Sequence, residues 1–269
     1  MTALLALQEV TRRFGGVVAV SDLSLAVPEG SITGLIGPNG AGKTTAFNMI
    51  SGFYTPQQGR IIFQGRDITA LSPHQICKLG IARTFQNIRL FAGGTALENV
   101  MVGCHVRRKG QWWMPIVCWP GIGNEEREIR KQAESLIARL ELTRYLHEKA
   151  TSLPYGVQRR LEIARALATR PLFLLLDEPA AGMNPQESED LMRFIEHIRD
   201  EFDLTILLIE HDMRVVMGVC RYIWVLEYGS LIAEGTAEAI RRNPKVIEAY
   251  LGEDVLEGGL QVAGQGAPC

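Results

Sequence analysis

A glycine-rich segment that ends in a lysine and a threonine is suited to holding phosphate groups. It fits the pattern GxxxxGK[ST] and consists of Gly37, Pro38, Asn39, Gly40, Ala41, Gly42, Lys43 and Thr44. Glycines let a backbone wrap around a triphosphate, and a helix that begins near Lys43 adds the positive end of its dipole. We expect Lys43 to neutralise the β- and γ-phosphates, Thr44 to give a hydroxyl to Mg²⁺, and Thr45 to hold a further phosphate oxygen. The alternative is a glycine-rich turn that matches by accident.

Acidic residues and a histidine follow two short apolar runs. The run Leu172–Leu176 precedes Asp177 and Glu178, and the run Leu204–Ile209 precedes Glu210 and His211. Because open α/β sheets bind ligands at the carboxyl ends of their strands, we expect these side chains at one sheet edge. Asp177 is then suited to the Mg²⁺ shell, Glu178 to a base for water, and His211 to reaching the γ-phosphate. Taken singly, an acidic turn after a buried strand is common, and a lone histidine is more often structural.

The surrounding pattern predicts the α/β elements that would position these residues. A strand at Ser31–Ile36 precedes the glycines, and a helix at Lys43–Ser51 follows them, with Gly52 as its stop. The two continuous apolar runs are typical of strands buried on both faces of a parallel sheet, and helical patterns separate them. Further predicted strands are Leu4–Val10, Val17–Val27, Arg60–Phe63, Asp67–Ile68, Tyr222–Leu226 and Ser230–Ala233, and further helices are Ser72–Leu79, Glu238–Arg241 and Val246–Leu251.

Residues 87–159 differ from the rest in being charged and helical in pattern, which predicts an inserted helical subdomain. The core is then formed by residues 4–86 and 160–252, and the Gly- and Ala-rich tail 253–269 is predicted to be disordered. Segment 104–124 mixes basic and aromatic residues: Arg107, Arg108, Lys109, Trp112, Trp113 and Trp119. It could contact a membrane protein or lipid headgroups, or pack within the helical insert.

Composition excludes several function classes. A net charge of −2 and a pI near 6.2 argue against a broad nucleic-acid interface. The five cysteines lack zinc-like spacing and are read as reduced thiols in a cytosolic protein. No apolar run reaches the roughly 18 residues that a spanning helix needs, and the first residues lack a signal peptide's basic region. We therefore expect a soluble chain with any membrane role dependent on partners.

Over residues 4–252 the chain resembles the ABC ATPase family, whose motifs stand here in the family's order: phosphate loop, glutamine loop, signature, acidic strand end and switch histidine. The resemblance implies a P-loop NTPase (ABC ATPase) fold: an α/β core with an N-terminal antiparallel β region and an inserted α-helical subdomain. It implies that Gln86, within Arg83-Thr84-Phe85-Gln86, touches Mg²⁺ and the attacking water and couples the site to a membrane partner. It also implies that Phe14 stacks on adenine, although composition alone equally fits a core residue.

The segment Leu153-Pro154-Tyr155-Gly156-Val157 resembles the family signature LSGGQ, whose helix would face ATP bound by a second subunit. On that basis Tyr155 and Gly156 are implied nucleotide contacts. Pro154 replaces the signature serine and supplies neither hydroxyl nor amide hydrogen, while Val157 replaces glutamine. We hypothesise that Pro154 weakens this half-site, the surface that the subunit offers to the ATP of its partner. The stretch Ala180–Pro185, which comes after Asp177 and Glu178, resembles the loop that meets the partner subunit, although a generic turn fits it equally well.

Several segments resemble the ATPase subunits of branched-chain amino-acid importers: Ser51–Tyr54, Gly80–Gln86, Ala180–Pro185, Ile209–Met213 and, most tellingly, Asn243–Gly252. The resemblance implies an ATPase on the cytoplasmic face of the membrane, with ATP and Mg²⁺ as cofactors. Its implied partners are transmembrane permeases, a second identical or different ABC ATPase subunit and an extracytoplasmic substrate-binding protein. Amide, urea and lipopolysaccharide transporters remain alternatives. A soluble ABC ATPase acting on nucleic acid and a non-catalytic nucleotide-gated scaffold are less favoured.

Overall fold

The computed structural model describes residues 3–107 and 122–250. The predictions for most of the Trp-rich segment and for the tail 253–269 lie outside the described residues. The chain divides into two compact units. Unit 1 contains the residues up to Ala70 and those from Leu207 onward, and unit 2 contains Leu71–Ile206. The sequence-based division at residues 87 and 159 stays a prediction.

The described strands are β1 (Ala3–Phe14), β2 (Val17–Pro28), β3 (Ile32–Ile36), β4 (Gln58–Phe63), β5 (Arg66–Asp67), β6 (Ile81–Arg83), β7 (Phe173–Asp177), β8 (Thr205–Ile209), β9 (Tyr222–Glu227) and β10 (Ser230–Gly235). The described helices are α1 (Lys43–Ile50), α2 (Pro73–Leu79), α3 (Ala96–Cys104), α4 (Ile122–Arg139), α5 (Tyr155–Leu167), α6 (Pro185–Glu201), α7 (Met213–Val219) and α8 (Ala237–Arg241). Residues 244–250 are also helical. In residues 3–107 and 122–250, every helix falls short of the length or apolar character that a bilayer crossing requires.

Unit 1 contains an antiparallel sheet in the order β2-β1-β4-β5. The hairpin of β1 and β2 pairs Leu7 with Leu25, and β1 pairs with β4 through Leu5 and Phe63. These four side chains are at most 5% exposed, so one face of the hairpin forms the core of this sheet. The predicted N-terminal antiparallel β region is confirmed.

Unit 1 also contains the strand that precedes the glycine-rich loop. Strand β3 lies parallel to β9, and β9 pairs antiparallel with β10. All five residues of β3 are buried, as expected for a strand covered on both faces. The loop then leads into α1, which begins at Lys43 as the sequence predicted.

Unit 2 contains β7, the strand that ends at Asp177. Strand β7 lies beside β6, with Ile81 paired in parallel to Phe173. The backbone N of Thr205, the first residue of β8, donates to Leu172 O at 3.0 Å. Helices α3 and α4 lie within the region predicted to be helical, and α5 begins in it but continues to Leu167. Strand β6 was not predicted. It has only three residues, with Ala and Arg after its single β-branched residue, so neither alternation nor propensity marks it.

Candidate nucleotide site

The glycine-rich loop in unit 1 has backbone φ angles that strongly favour glycine. Gly37, Gly40 and Gly42 have φ angles of 147°, 77° and 100°. A Cβ at Gly37 would lie 2.0 Å from Leu226 O, and one at Gly42 would lie 2.3 Å from Ala19 O. Two of the three glycines are therefore fixed by neighbouring backbone as well as by φ.

Lys43 begins α1 and is folded over the loop that precedes it. Its side-chain Nζ donates to Gly37 O at 2.5 Å and to Pro38 O at 2.7 Å, and the residue is 7% exposed. Thr44 is exposed and Thr45 is half-buried in the first turn of α1. The loop therefore presents a lysine charge, a hydroxyl and the positive end of a helix dipole on one side.

The turn between β9 and β10 supports this loop. Gly229 N donates to Ala41 O at 3.0 Å, and Gly229 O accepts from Ser21 N at 2.8 Å. Gly229 has a φ of 81°, and a Cβ there would lie 2.8 Å from Ala19 O. Both strands were predicted from the sequence, but the contact between their turn and the phosphate loop was not, because it joins residues far apart in the chain.

Phe14, the predicted adenine contact, ends β1 in unit 1. The residue is 40% exposed, and its ring meets the ring of Tyr54 edge-on at a centroid distance of 5.1 Å. The guanidinium of Arg12 lies 4.8 Å from the Phe14 ring centroid. The exposed part of the ring leaves it available for stacking, and its role toward adenine stays a prediction.

His211 follows β8 in unit 1 with a side chain that is 60% exposed. Its Nδ1 lies 3.8 Å from Oε2 of Glu210, whose side chain is only 1% exposed, and its backbone N donates to the same oxygen at 3.3 Å. Asp212 accepts from Arg214 N and caps α7, and its side-chain bond to Arg214 lowers the pKa of Asp212. The Asp212 cap and the bond from His211 N to the Glu210 carboxylate hold the backbone that carries the imidazole.

Asp177 ends β7 in unit 2 and is paired with an arginine. Its Oδ2 accepts from Arg83 Nη2 at 2.8 Å, and the two side chains are 6% and 7% exposed. Arg83 is the last residue of β6, the strand beside β7. In the sequence, Arg83 stands out only as the first residue of the Arg83–Gln86 segment. Its pairing with a carboxylate 94 residues away left no local signal in the sequence.

Glu178 and Gln86 contact each other directly in unit 2. Gln86 Nε2 donates to Glu178 Oε2 at 2.8 Å. Glu178 has a φ of 45°, in the left-handed region that non-glycine residues rarely occupy. Such a conformation costs about 1–3 kcal/mol and persists where the surrounding structure enforces it, often at functional sites. The candidate base therefore has a defined orientation, set by its backbone and by Gln86.

The signature-like segment begins α5 in unit 2. Pro154 occupies the N-cap position and provides no side-chain cap, as the sequence predicted for a proline. Tyr155 is 42% exposed, and its hydroxyl donates to Ala181 O at 2.9 Å. Gly156 is half-buried, with open space around the position of a Cβ. Tyr155 thereby joins the signature-like helix to the loop that follows Glu178.

In unit 2, Gln86 contacts Glu178, and Asp177 pairs with Arg83. In unit 1, the side chain of Lys43 folds back onto the glycine-rich loop. The convergence of Lys43 and His211 with Asp177 and Glu178 on one triphosphate stays a prediction. Among residues 3–107 and 122–250, no three His, Cys, Asp or Glu side chains group as a metal site of their own.

Comparison with known proteins places this geometry in a family. A model of the ABC transporter family matches residues 20–181, more than half of the chain. A second model, described as branched-chain amino acid ATP-binding cassette transporter, matches residues 230–255. The fold is similar to the crystal structure of the ADP conformation of MJ1267, an ATP-binding cassette of an ABC transporter. That similarity has a TM-score of 0.82 at 32% identity and covers 94% of this chain and 100% of the other.

Curated relatives are similar over nearly the whole chain. The high-affinity branched-chain amino acid transport ATP-binding protein BraF of Pseudomonas aeruginosa is 46% identical over 250 residues, which is 93% of this chain and 98% of BraF. The protein of the same description named LivG, from Escherichia coli K12, is 44% identical with the same coverage. These matches, together with the glycine-rich loop and the Gln86–Glu178 contact, show that the chain belongs to the ABC transporter family, as an ATPase cassette.

Proposed function

We propose that this chain hydrolyses ATP to power the import of branched-chain amino acids. The observation that carries the proposal is the match to the C-terminal model of branched-chain amino acid cassettes at residues 230–255, added to 46% identity with BraF. Cassettes of the wider family share the glycine-rich loop, so this C-terminal match is what favours the branched-chain amino acids over amides, urea or lipopolysaccharide.

The phosphate loop of unit 1 is the proposed binding surface for the triphosphate. The backbone N–H groups of this loop, which Pro38 alone lacks, and the start of α1 favour negative charge there. Lys43 would exchange its bonds to Gly37 O and Pro38 O for the β- and γ-phosphates, since an ammonium group gains more from phosphate than from carbonyls. Thr45 would hold a further phosphate oxygen, and Phe14 would stack on adenine.

Three oxygen donors would hold Mg²⁺ with the nucleotide: the hydroxyl of Thr44, the carboxylate of Asp177 and the side-chain oxygen of Gln86. These are the hard ligands that Mg²⁺ prefers, and few of them suffice because phosphates and water complete its shell. Asp177 is buried and ionically paired, so its oxygens already have a fixed direction. When bound, the ion neutralises charge that develops on the phosphates.

Glu178 is the proposed base that accepts a proton from the attacking water. Its left-handed backbone and its bond to Gln86 hold the carboxylate in one orientation. Gln86 would release or share that bond as it orients the water, which makes it a positioning partner for the base. His211, exposed at the end of β8, would contact the γ-phosphate.

Two cassettes would sandwich two ATP molecules, with Tyr155 and Gly156 of each facing the ATP of the other. Closure and reopening of the pair would move transmembrane permeases, and an extracytoplasmic binding protein would deliver the amino acid. The cassette would then act at the cytoplasmic face of the membrane, held there by its permeases. The net charge of −2 gives no support to nucleic acid as a partner.

The test is uptake by proteoliposomes that contain this chain and the permeases with which it co-purifies. With ATP and Mg²⁺ inside the vesicle on the cassette side, radiolabelled leucine, isoleucine and valine are expected to accumulate once the binding protein is added. Urea, short amides and lipopolysaccharide serve as competing cargoes. Transport of one of these without any branched-chain amino acid would contradict the proposed substrate.

A further inference from the structure

Arg159 is a fully buried arginine on the signature-like helix α5. Its side chain is 0% exposed, and its Nη1 lies 2.9 Å from Oε2 of Glu162, which is 1% exposed and three residues further along the helix. A buried ion pair gains little over apolar packing unless its remaining donors and acceptors are also bonded. The remaining contacts of this pair therefore indicate what it is for.

Those contacts go to the backbone around Gln86. Arg159 Nη1 donates to Phe85 O at 2.9 Å, and its Nη2 donates to Gln86 O at 2.9 Å. Glu162 Oε1 accepts from Arg89 N at 3.3 Å. One ion pair thus binds three backbone groups within five residues, and all three lie in the segment that carries Gln86.

Helix α5 also contacts the segment that follows Glu178 in the chain. Tyr155 donates to Ala181 O, three residues after Glu178, and Arg159 Nη2 lies 3.4 Å from the Tyr155 hydroxyl. Gln86 itself contacts Glu178 at 2.8 Å. Two routes therefore connect the first turns of α5 to the candidate base, and Arg159 takes part in both.

We propose that Arg159 is a positioning residue for ATP hydrolysis: it fixes α5 to the backbone of Gln86 and so sets where Gln86 holds the carboxylate of Glu178. The inference rests on the proposed role of Glu178 as base. The planar guanidinium binds two successive carbonyls and a carboxylate at once, which a lysine ammonium on a flexible stem cannot do with the same geometry. A displacement of α5 would reach Glu178 through these bonds.

A purely stabilising ion pair is the alternative, and a double variant separates the two. Arg159→Met with Glu162→Met removes both buried charges at similar volume, which keeps the fold because neither charge is left unpaired. In the transporter assembled with its permeases, kcat for ATP hydrolysis is expected to fall about 10- to 100-fold, as small misplacements of catalytic groups do. The KM for ATP and the melting temperature are expected to stay near wild type.

Arg159→Lys is the second variant. It keeps a positive charge beside Glu162 but loses the planar guanidinium that binds both carbonyls. Its kcat is therefore expected to lie between those of the wild type and the double variant. The matched control is Arg193→Met with Glu189→Met, an ion pair on α6 whose side chains are 67% and 68% exposed. This control is expected to hydrolyse ATP at the wild-type rate.

Wild-type kcat in the folded double variant would overturn the proposal. If that variant does not fold, Arg159→Lys decides: a lower kcat at an unchanged melting temperature supports positioning, and an unchanged kcat refutes it. Failure of both the wild type and the exposed-pair control to hydrolyse Mg·ATP would instead refute the proposed function on which the inference rests.

Discussion

The side-chain amide of Gln86 donates to the carboxylate of Glu178 at 2.8 Å, although the two residues lie 92 positions apart. Glu178 stands directly after β7 with a left-handed backbone, and Gln86 stands three residues after β6, the strand beside β7. Neighbouring parallel strands thus deliver both groups to one edge. The contact gives the proposed base a fixed orientation, and its consequences can be measured.

Replacement of Glu178 by glutamine is expected to stop hydrolysis and preserve nucleotide binding. The amide oxygen of glutamine can still accept from Gln86, so local geometry is kept, but glutamine cannot take a proton from water. Turnover should fall by about 10² to 10⁴, the usual contribution of a general base. Phosphate release and fluorescent-ATP binding measure the two quantities. Glu189→Gln, on an exposed face of α6, is the control, and near-normal turnover of the Glu178→Gln variant would argue against the assigned base.

Loss of Arg83 is expected to lower stability as well as activity. Arg83→Met leaves Asp177 buried without its ion-pair partner, and breaking a buried pair in this way costs about 3–5 kcal/mol. Arg193→Met breaks only exposed pairs and should cost no more than about 1 kcal/mol. Urea denaturation of both variants compares the free energies of unfolding. Equal costs would show that the Arg83–Asp177 bond contributes little to the native state.

Pro154→Ser is expected to raise the turnover of the assembled transporter. The N-cap of α5 has no side-chain bond with proline in place, and a serine there adds a hydroxyl and an amide hydrogen. Both groups would face the ATP of the partner cassette. A steady-state ATPase assay with saturating Mg·ATP measures the effect, with Ser152→Ala, an exposed residue just before the segment, as control. An unchanged rate would remove the idea that Pro154 weakens this half-site.

Cys220 is expected to resist alkylation in the folded chain. Burial, with a smaller contribution from the charge of Glu210, raises the pKa of Cys220 to about 12 from an ordinary 9.0. Because the folded state holds the thiol proton more tightly, its stabilising contribution is complete below pH 9 and is lost as the pH rises toward about 12. Iodoacetamide at mildly alkaline pH should label half-buried Cys77 before Cys220, as read by mass spectrometry. Equal labelling of both cysteines before unfolding would contradict this burial.

The sequence predicted the elements whose signals are local. The glycine pattern, the buried run before Asp177 and the start of α1 at Lys43 each depend on a few adjacent residues, and each matches the structure. Strand β6 was missed because three residues carry no period. Three other contacts join distant segments: the ion pair of Arg83 with Asp177, the hydrogen bond from Arg159 to Gln86 O and the hydrogen bond from Gly229 N to Ala41 O. Only packing creates them, so no local pattern could predict them.

The proposed convergence of these side chains on one triphosphate is tested most directly by a structure of the Glu178→Gln variant with ATP and Mg²⁺. We expect one triphosphate in contact with Lys43, His211, Asp177 and residue 178, with Mg²⁺ held by Thr44. A bound nucleotide that these side chains do not surround, or a purified chain that fails to bind Mg·ATP, would contradict it.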